Sequence, residues 1–233
     1  MNWQALTTAL FGQDHTIQAD DDFLHGEAQF DGKQLTVLGT TNHAPIGVAL
    51  ALAQAAAVLH TIKTHPARPI LLLIDTQGQQ LRRRDELLGI HRAMAHLGCC
   101  IDLARRRGHR VVGLIYDQAL SGGFITSGLI ADACYALPEA EIRVMRLPAM
   151  ARVTKLAEET LAELSRSNPV FAPGVENYVA MGGVKALWTN DLPAALREAL
   201  AHAPTADERA ADGAARGGRK LSADVTAQVL AAA

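Results

Sequence analysis

The sequence predicts an α/β protein built on a largely parallel sheet with helices covering both faces. Three observations point there. Short apolar runs of strand character, residues 69–74 and 110–116, alternate with longer runs whose apolar residues recur at helical spacing. The strand run Ile70-Leu71-Leu72-Leu73-Ile74 is apolar at every position, as in a strand buried on both sides. Aromatic residues make up only 4% of the 233 residues while alanine and glycine are abundant, which suits close packing of helix on sheet.

Each element follows from its own signals. Trp3, Leu6, Leu10 and Phe11 fall at helical spacing after Asn2 as cap, and Gly12 ends the run. Residues 13–22 are polar and acidic and read as loop. Residues 27–30 and 34–39 flank the turn dipeptide Asp31-Gly32 and predict a hairpin. Residues 40–45 read as loop, and 46–63 as a helix with Pro45, Ile46 and Gly47 about its first turn. The apolar strand ends at Asp75-Thr76-Gln77-Gly78, and one long helix is expected over residues 85–107, closed by three arginines and Gly108. After the strand at 110–116 comes a Ser-Gly-Gly corner and a short helix over 124–131. Residues 133–137 and 141–146 read as strands. A helix after Pro148 is expected to run to about residue 165 and to break at Asn168-Pro169. Pro173-Gly174 opens another helix towards Met181, and 191–201 forms a last one. One domain over residues 1–202 and an Ala/Gly-rich linker with a weak terminal helix over 203–233 complete the expected organisation.

Composition limits the function. A formal net charge of −2 gives no bulk attraction for nucleic acid or an anionic membrane. The most apolar stretch, 44–59, is too short to span a bilayer and contains Gln54. Cys99, Cys100 and Cys134 are odd in number and lack C-x-x-C spacing, against both a disulfide framework and a thiolate metal site. His91 and His96 are five apart and do not share a helix face, so no metal is expected. With no secretory signal visible at Met1-Asn2-Trp3-Gln4, the expected compartment is the cytoplasm.

The chemistry concentrates at Tyr116-Asp117-Gln118-Ala119-Leu120-Ser121-Gly122-Gly123-Phe124. Paired glycines between a strand and a helix bare their backbone N–H groups, and the helix start adds the positive end of its dipole. Such a corner can hold an oxyanion, and Gly122 and Gly123 are the candidate donors. The same pair also permits close strand–helix packing. Ser121 as a nucleophile would need a paired base, and no histidine has a spacing that implies one. The helix start after Thr40-Thr41-Asn42-His43-Ala44 offers further N–H groups to an anion or thioester oxygen. His43 is a candidate proton donor, or a solvated loop residue. Asp75 and Asp117 end strands and read as caps. Arg82-Arg83-Arg84 reads as a solvated charge run or a contact for phosphates. Cys99 and Cys100 read as small core residues.

At Leu71-Leu72-Leu73-Ile74-Asp75-Thr76-Gln77-Gly78 and Ser121-Gly122-Gly123 the chain resembles the carboxyltransferase subunits of acyl-CoA carboxylases. Gln77 stands where that family has proline, and Asp117-Gln118-Ala119-Leu120 replaces its glycine-rich lead-in, which argues against a biotin-dependent carboxylase. Ala119-Leu120-Ser121-Gly122-Gly123-Phe124, Leu147-Pro148-Ala149-Met150-Ala151-Arg152-Val153-Thr154-Lys155, Asn177-Tyr178 and Met181-Gly182-Gly183 resemble the gamma subunits of biotin-independent malonate decarboxylases. That resemblance covers nearly the whole chain.

The resemblance implies a ClpP/crotonase-like fold of repeated ββα units, carboxyltransferase type. It implies three partners: a homologous beta subunit, an acyl-carrier subunit bearing malonyl thioester on a phosphopantetheine-type arm, and an acyl-carrier transferase subunit. No cofactor is expected on this chain, and no biotin. Ser121, Pro45, Ile46, Gly47 and Gly78 are expected to line the substrate site around Gly122 and Gly123. In this reading the corner holds either the enolate or the leaving carboxylate. The alternatives are a non-catalytic scaffold subunit of such a complex, or another crotonase-type acyl-thioester enzyme.

Overall fold

A computed structural model describes residues 1–145, 147–167, 174–202, 204, 206–219 and 221–232. Helix α1 (Trp3–Phe11) is capped as its sequence predicts, the Ala5 N–H donating to Asn2 Oδ1 at 2.8 Å. Strands β1 (Gln18–Asp20), β2 (Phe23–Phe30) and β3 (Lys33–Thr40) form an antiparallel meander. Asp31 and Gly32 both take positive φ at the β2–β3 turn, as a tight two-residue hairpin requires. β1 lies inside the stretch expected to be loop; its three residues are exposed, so no apolar pattern marks it.

From β3 onward one step recurs: a strand in the main sheet, a shorter strand beyond it, then a helix. It appears as β3, β4 (Ala44–Ile46) and α2 (Val48–Thr64). It appears again in β5 (Ile70–Gln79) followed by α3 (Arg83–Leu87) and α4 (Ile90–Arg106). The third instance is β6 (Val111–Leu120) with α5 (Ser121–Phe124), which a π turn over Ile125–Leu129 continues. The fourth is β7 (Ala133–Ala136), β8 (Glu141–Arg143) and the helices α6 (Leu147–Thr154) and α7 (Glu158–Ser167). β5 and β6 are ten residues each because each serves as both strands of its unit. Their first halves pair in parallel with each other and with β3 and β7. Their second halves pair with each other, with β4 and with β8.

Alternation along the strands sorts the core. Leu71, Leu73, Val112 and Leu114 pack with Leu6, Leu10 and Leu196 towards α1 and α9 (Leu192–Ala201). Ile70, Leu72 and Val111 pack with Ala55, Val58, Leu97 and Ile101 of α2 and α4 on the opposite face. Beyond Ile74 and Ile115 a third cluster with Phe124, Ile142 and Val184 packs the outer halves against the corner helix.

Several boundaries move relative to the sequence reading. β5 and β6 do not stop at Ile74 and Tyr116 but run to Gln79 and Leu120, since the polar residues there still find strand partners. Leu88-Gly89, with Gly89 at φ 78°, splits the expected long helix into α3 and α4. Lys155, at φ 62°, separates α6 from α7 in the same way. Cys99 is exposed on α4, while Cys100 and Cys134 are buried. Asn168-Pro169, Pro173 and Arg146 lie outside the described residues. α8 (Val175–Ala180) and α9 stand where expected.

The stretch expected as linker and weak terminal helix has two helices among its described residues, α10 (Arg209–Ala215) and the exposed α11 (Ser222–Ala231). Arg209 donates to the carbonyls of Leu129 and Ala131, at the far end of the corner helix, at 2.7 and 2.6 Å. Arg216 reaches Val179 O at 2.8 Å, and Lys185 Nζ bonds Glu208 at 2.7 Å and Asp212 at 3.0 Å.

Candidate active site

The glycine corner sits at the outer end of β6, packed against the outer end of β5. Gly78 holds φ 101°, a conformation that glycine reaches without strain. Its N–H donates to Thr76 Oγ1 at 2.9 Å, and the same hydroxyl donates to Ala44 O at 2.6 Å, so Thr76 organises the bend. Gly123 lies directly on Gly78: a Cβ at position 123 would come within 2.6 Å of the Gly78 carbonyl carbon. Close packing therefore requires glycine at 123. Gly122 differs. A Cβ there would meet only the Gln79 side chain, its Oε1 at 3.4 Å, and Gly122 is only part-buried. The first amides of a helix have no intrahelical acceptor, and Ser121, Gly122 and Gly123 hold those positions.

The other expected lining residues are placed differently. Ser121, itself at φ 54°, donates its hydroxyl to Val144 O at 2.7 Å and ties the segment after β8 to the corner. Among the described residues that hydroxyl has a backbone acceptor and no histidine partner, which speaks against a nucleophilic role. Gly78 has its amide committed to Thr76 and acts in packing. Pro45 and Ile46 belong to strand β4, not to a helix; Gly47 is the N-cap of α2. The N-terminus of α2 already holds an anion, because Asp85 of α3 accepts from the Val48 N–H at 2.9 Å. That hydrogen bond, with the Arg82 contact at 3.1 Å, keeps the buried Asp85 carboxyl below its ordinary range. Pro45, Ile46 and Gly47 thus shape β4 and the α2 start, where Asp85 already occupies the Val48 N–H. Sequence reasoning missed Asp85 because its partner is 37 residues away.

A second constellation lies where the two long strands shift register. The His43 N–H donates to Asp75 Oδ2 at 2.9 Å, and the His43 ring Nε2 is 3.2 Å from Asp117 Oδ2. Asn42 and His43 both take left-handed backbone, at φ 57° and 50°, which turns the chain so that the ring meets both aspartates. Asp75 is 3% exposed, and burial pushes its carboxyl up, against the amides of His43 and Gln118 that favour its charge. Neighbouring Tyr116 donates to Thr40 O at 2.9 Å, and burial raises its phenol too. Ligand atoms of His43, Asp75 and Asp117 lie within 4.8 Å of one another, so these three residues could also surround a small cation. Asp75 and Asp117 are therefore not helix caps. Two residues of β5, Thr76 and Gln77, separate Asp75 from Gly78, a spacing of about 10 Å at strand rise.

Comparison with known proteins decides the family. Residues 41–233 match the model of the malonate decarboxylase gamma subunit. The chain belongs to that family. It is similar over 98% of its length, and 98% of the other's, to a chain in the crystal structure of a Pseudomonas malonate decarboxylase hetero-tetramer in complex with coenzyme A, with 26% identity and a TM-score of 0.79. It is 38% identical over 123 residues to the malonyl-S-ACP:biotin-protein carboxyltransferase MADD of Malonomonas rubra; the match spans 52% of this chain and 42% of that relative. The transcarboxylase 12S structure shares the fold, with 17% identity and a TM-score of 0.72 over 88% of this chain and 43% of that one. The gamma-subunit family thus carries here a crotonase-like fold of carboxyltransferase type, as the repeated strand–strand–helix step indicates. Among the described residues no helix is long and apolar enough to cross a membrane.

Proposed function

We propose that this chain is the gamma subunit of a cytoplasmic, biotin-independent decarboxylase that converts malonyl thioester to acetyl thioester and CO2. The observation that carries the reading is the glycine corner itself: Ser121, Gly122 and Gly123 hold the helix-start positions whose amides lack an intrahelical acceptor, and Gly122 is only part-buried, with the Gln79 side chain beside it. Cleavage of the C–C bond sends its electron pair to C2 and onto the thioester oxygen; CO2 departs, and a proton returns to C2. Backbone donors at Gly122 and Gly123 stabilise the negative charge of this step, on the enolate or on the leaving carboxylate. One such donor is worth about 2.7–4 kcal/mol of barrier.

A homologous beta subunit completes the site, in keeping with the hetero-tetrameric form of the similar Pseudomonas enzyme. The thioester sits on the phosphopantetheine-type arm of an acyl-carrier subunit that a dedicated transferase loads. The name of the Malonomonas relative, which acts on malonyl-S-ACP, supports a carrier-bound substrate. In this reading His43, its N–H engaged by Asp75 and its ring by Asp117, shapes the β3–β4 turn rather than delivering that proton. A scaffold role is the second reading, favoured by the way Gly123 is spent on packing against Gly78.

The test is reconstitution. The chain co-purified with the homologous beta subunit should release CO2 from malonyl-carrier and accumulate acetyl-carrier without added biotin, and neither subunit alone should do so. Full turnover by the beta subunit alone would leave this chain as scaffold.

A further inference from the structure

Gln79 is the last residue of β5, and its side chain lies beside the part-buried Gly122, with Oε1 3.4 Å from where a Cβ there would stand. Its Oε1 is buried and has no hydrogen-bond partner among the described residues. A buried acceptor without a donor costs about 1–3 kcal/mol, so its placement calls for an explanation. Half a turn about the last side-chain bond exchanges that oxygen for the amide nitrogen and directs an N–H to the same spot. The spot is next to the helix-start amides, where a negatively charged oxygen has its other donors. The Gln79 backbone nitrogen is also close to Gly123, 3.0 Å from where a Cβ there would stand, which fixes the base of this side chain against both glycines. We infer that Gln79 is a third hydrogen-bond donor of the corner, its side-chain amide turning to meet the oxyanion beside Gly122. The inference rests on the reading that the corner holds negative charge. It adds a residue that neither glycine spacing nor helix geometry supplies.

The experiment uses the assembled complex with malonyl-carrier as substrate, and compares Gln79→Met, Gln79→Glu and Gly122→Val with the wild type. Gln79→Met keeps the length and removes the donor. Gln79→Glu keeps the shape and places a carboxylate where an anion must bind. The expected result is a fall in kcat of about 10–100-fold for Gln79→Met and a larger one for Gln79→Glu, with KM within about threefold. If Gln79→Met fails to assemble, Gln79→Glu decides alone. A crippled Gly122→Val beside Gln79 variants within twofold of wild-type kcat overturns the role of Gln79 and leaves the corner standing. Full activity in Gly122→Val overturns the charged corner and this inference with it.

Discussion

Two adjacent glycines with the same sequence signature do different work. Gly123 is a packing residue, because the Gly78 backbone occupies the space of any side chain there. Gly123→Ala should cost about 1–3 kcal/mol and lower the melting temperature, whereas Gly122→Ala should melt near the wild type. Equal melting temperatures for the two variants would show that the corner is looser than this geometry. Asp85 supplies a second residue-scale test. Its folded pKa is lowered, so its stabilisation is complete above the unfolded value, about 3.9, and is lost as pH falls through the folded pKa. The melting-temperature gap between wild type and Asp85→Asn should therefore be full at neutral pH and close below about pH 4. A gap independent of pH would contradict the charge-based account. The glycine pair was legible in the sequence because its chemistry is local. Asp85 and Gln79 were not, because their surroundings are set by tertiary packing of β5 and α3 against α2 and α5.

At the scale of elements, the corner helix is held at both ends. Gly78 packs beneath its start, while Arg209 of α10 takes the carbonyls of Leu129 and Ala131 at its finish. Composition after His202 signals a linker and a weak terminal helix but not α10, since alanine and glycine carry no apolar periodicity; small residues let α10 approach the Met181–Gly182 turn closely. Lys185→Met should remove the ion pairs to Glu208 and Asp212, worth about 1 kcal/mol where they are partly exposed. Amide exchange over residues 209–215 should then rise about fivefold, and unchanged exchange would mean that the arginines alone hold α10. The helix breaks at Gly89 and Lys155 were hidden for a different reason: the apolar spacing continues across them, so periodicity alone joins the pieces.

Across the whole molecule, the parallel helix-covered sheet follows from strand runs apolar on both faces, and that much the residues alone disclose. The two-part pairing of β5 and β6 does not show in any local pattern, because polar residues 75–79 and 116–120 sit in strands only where β4 and β8 arrive to pair with them. That second set of pairings sets the corner at the outer end of β6, against the outer end of β5. The most direct test of the charged corner is kcat of Gly122→Val in the complex with the beta subunit. The account predicts a complex that assembles and melts like wild type and turns over malonyl-carrier about 10²-fold more slowly, because the valine side chain, which leaves the Gly122 N–H in place, displaces the anion from it. An assembled Gly122→Val complex with kcat within twofold of wild type would contradict it.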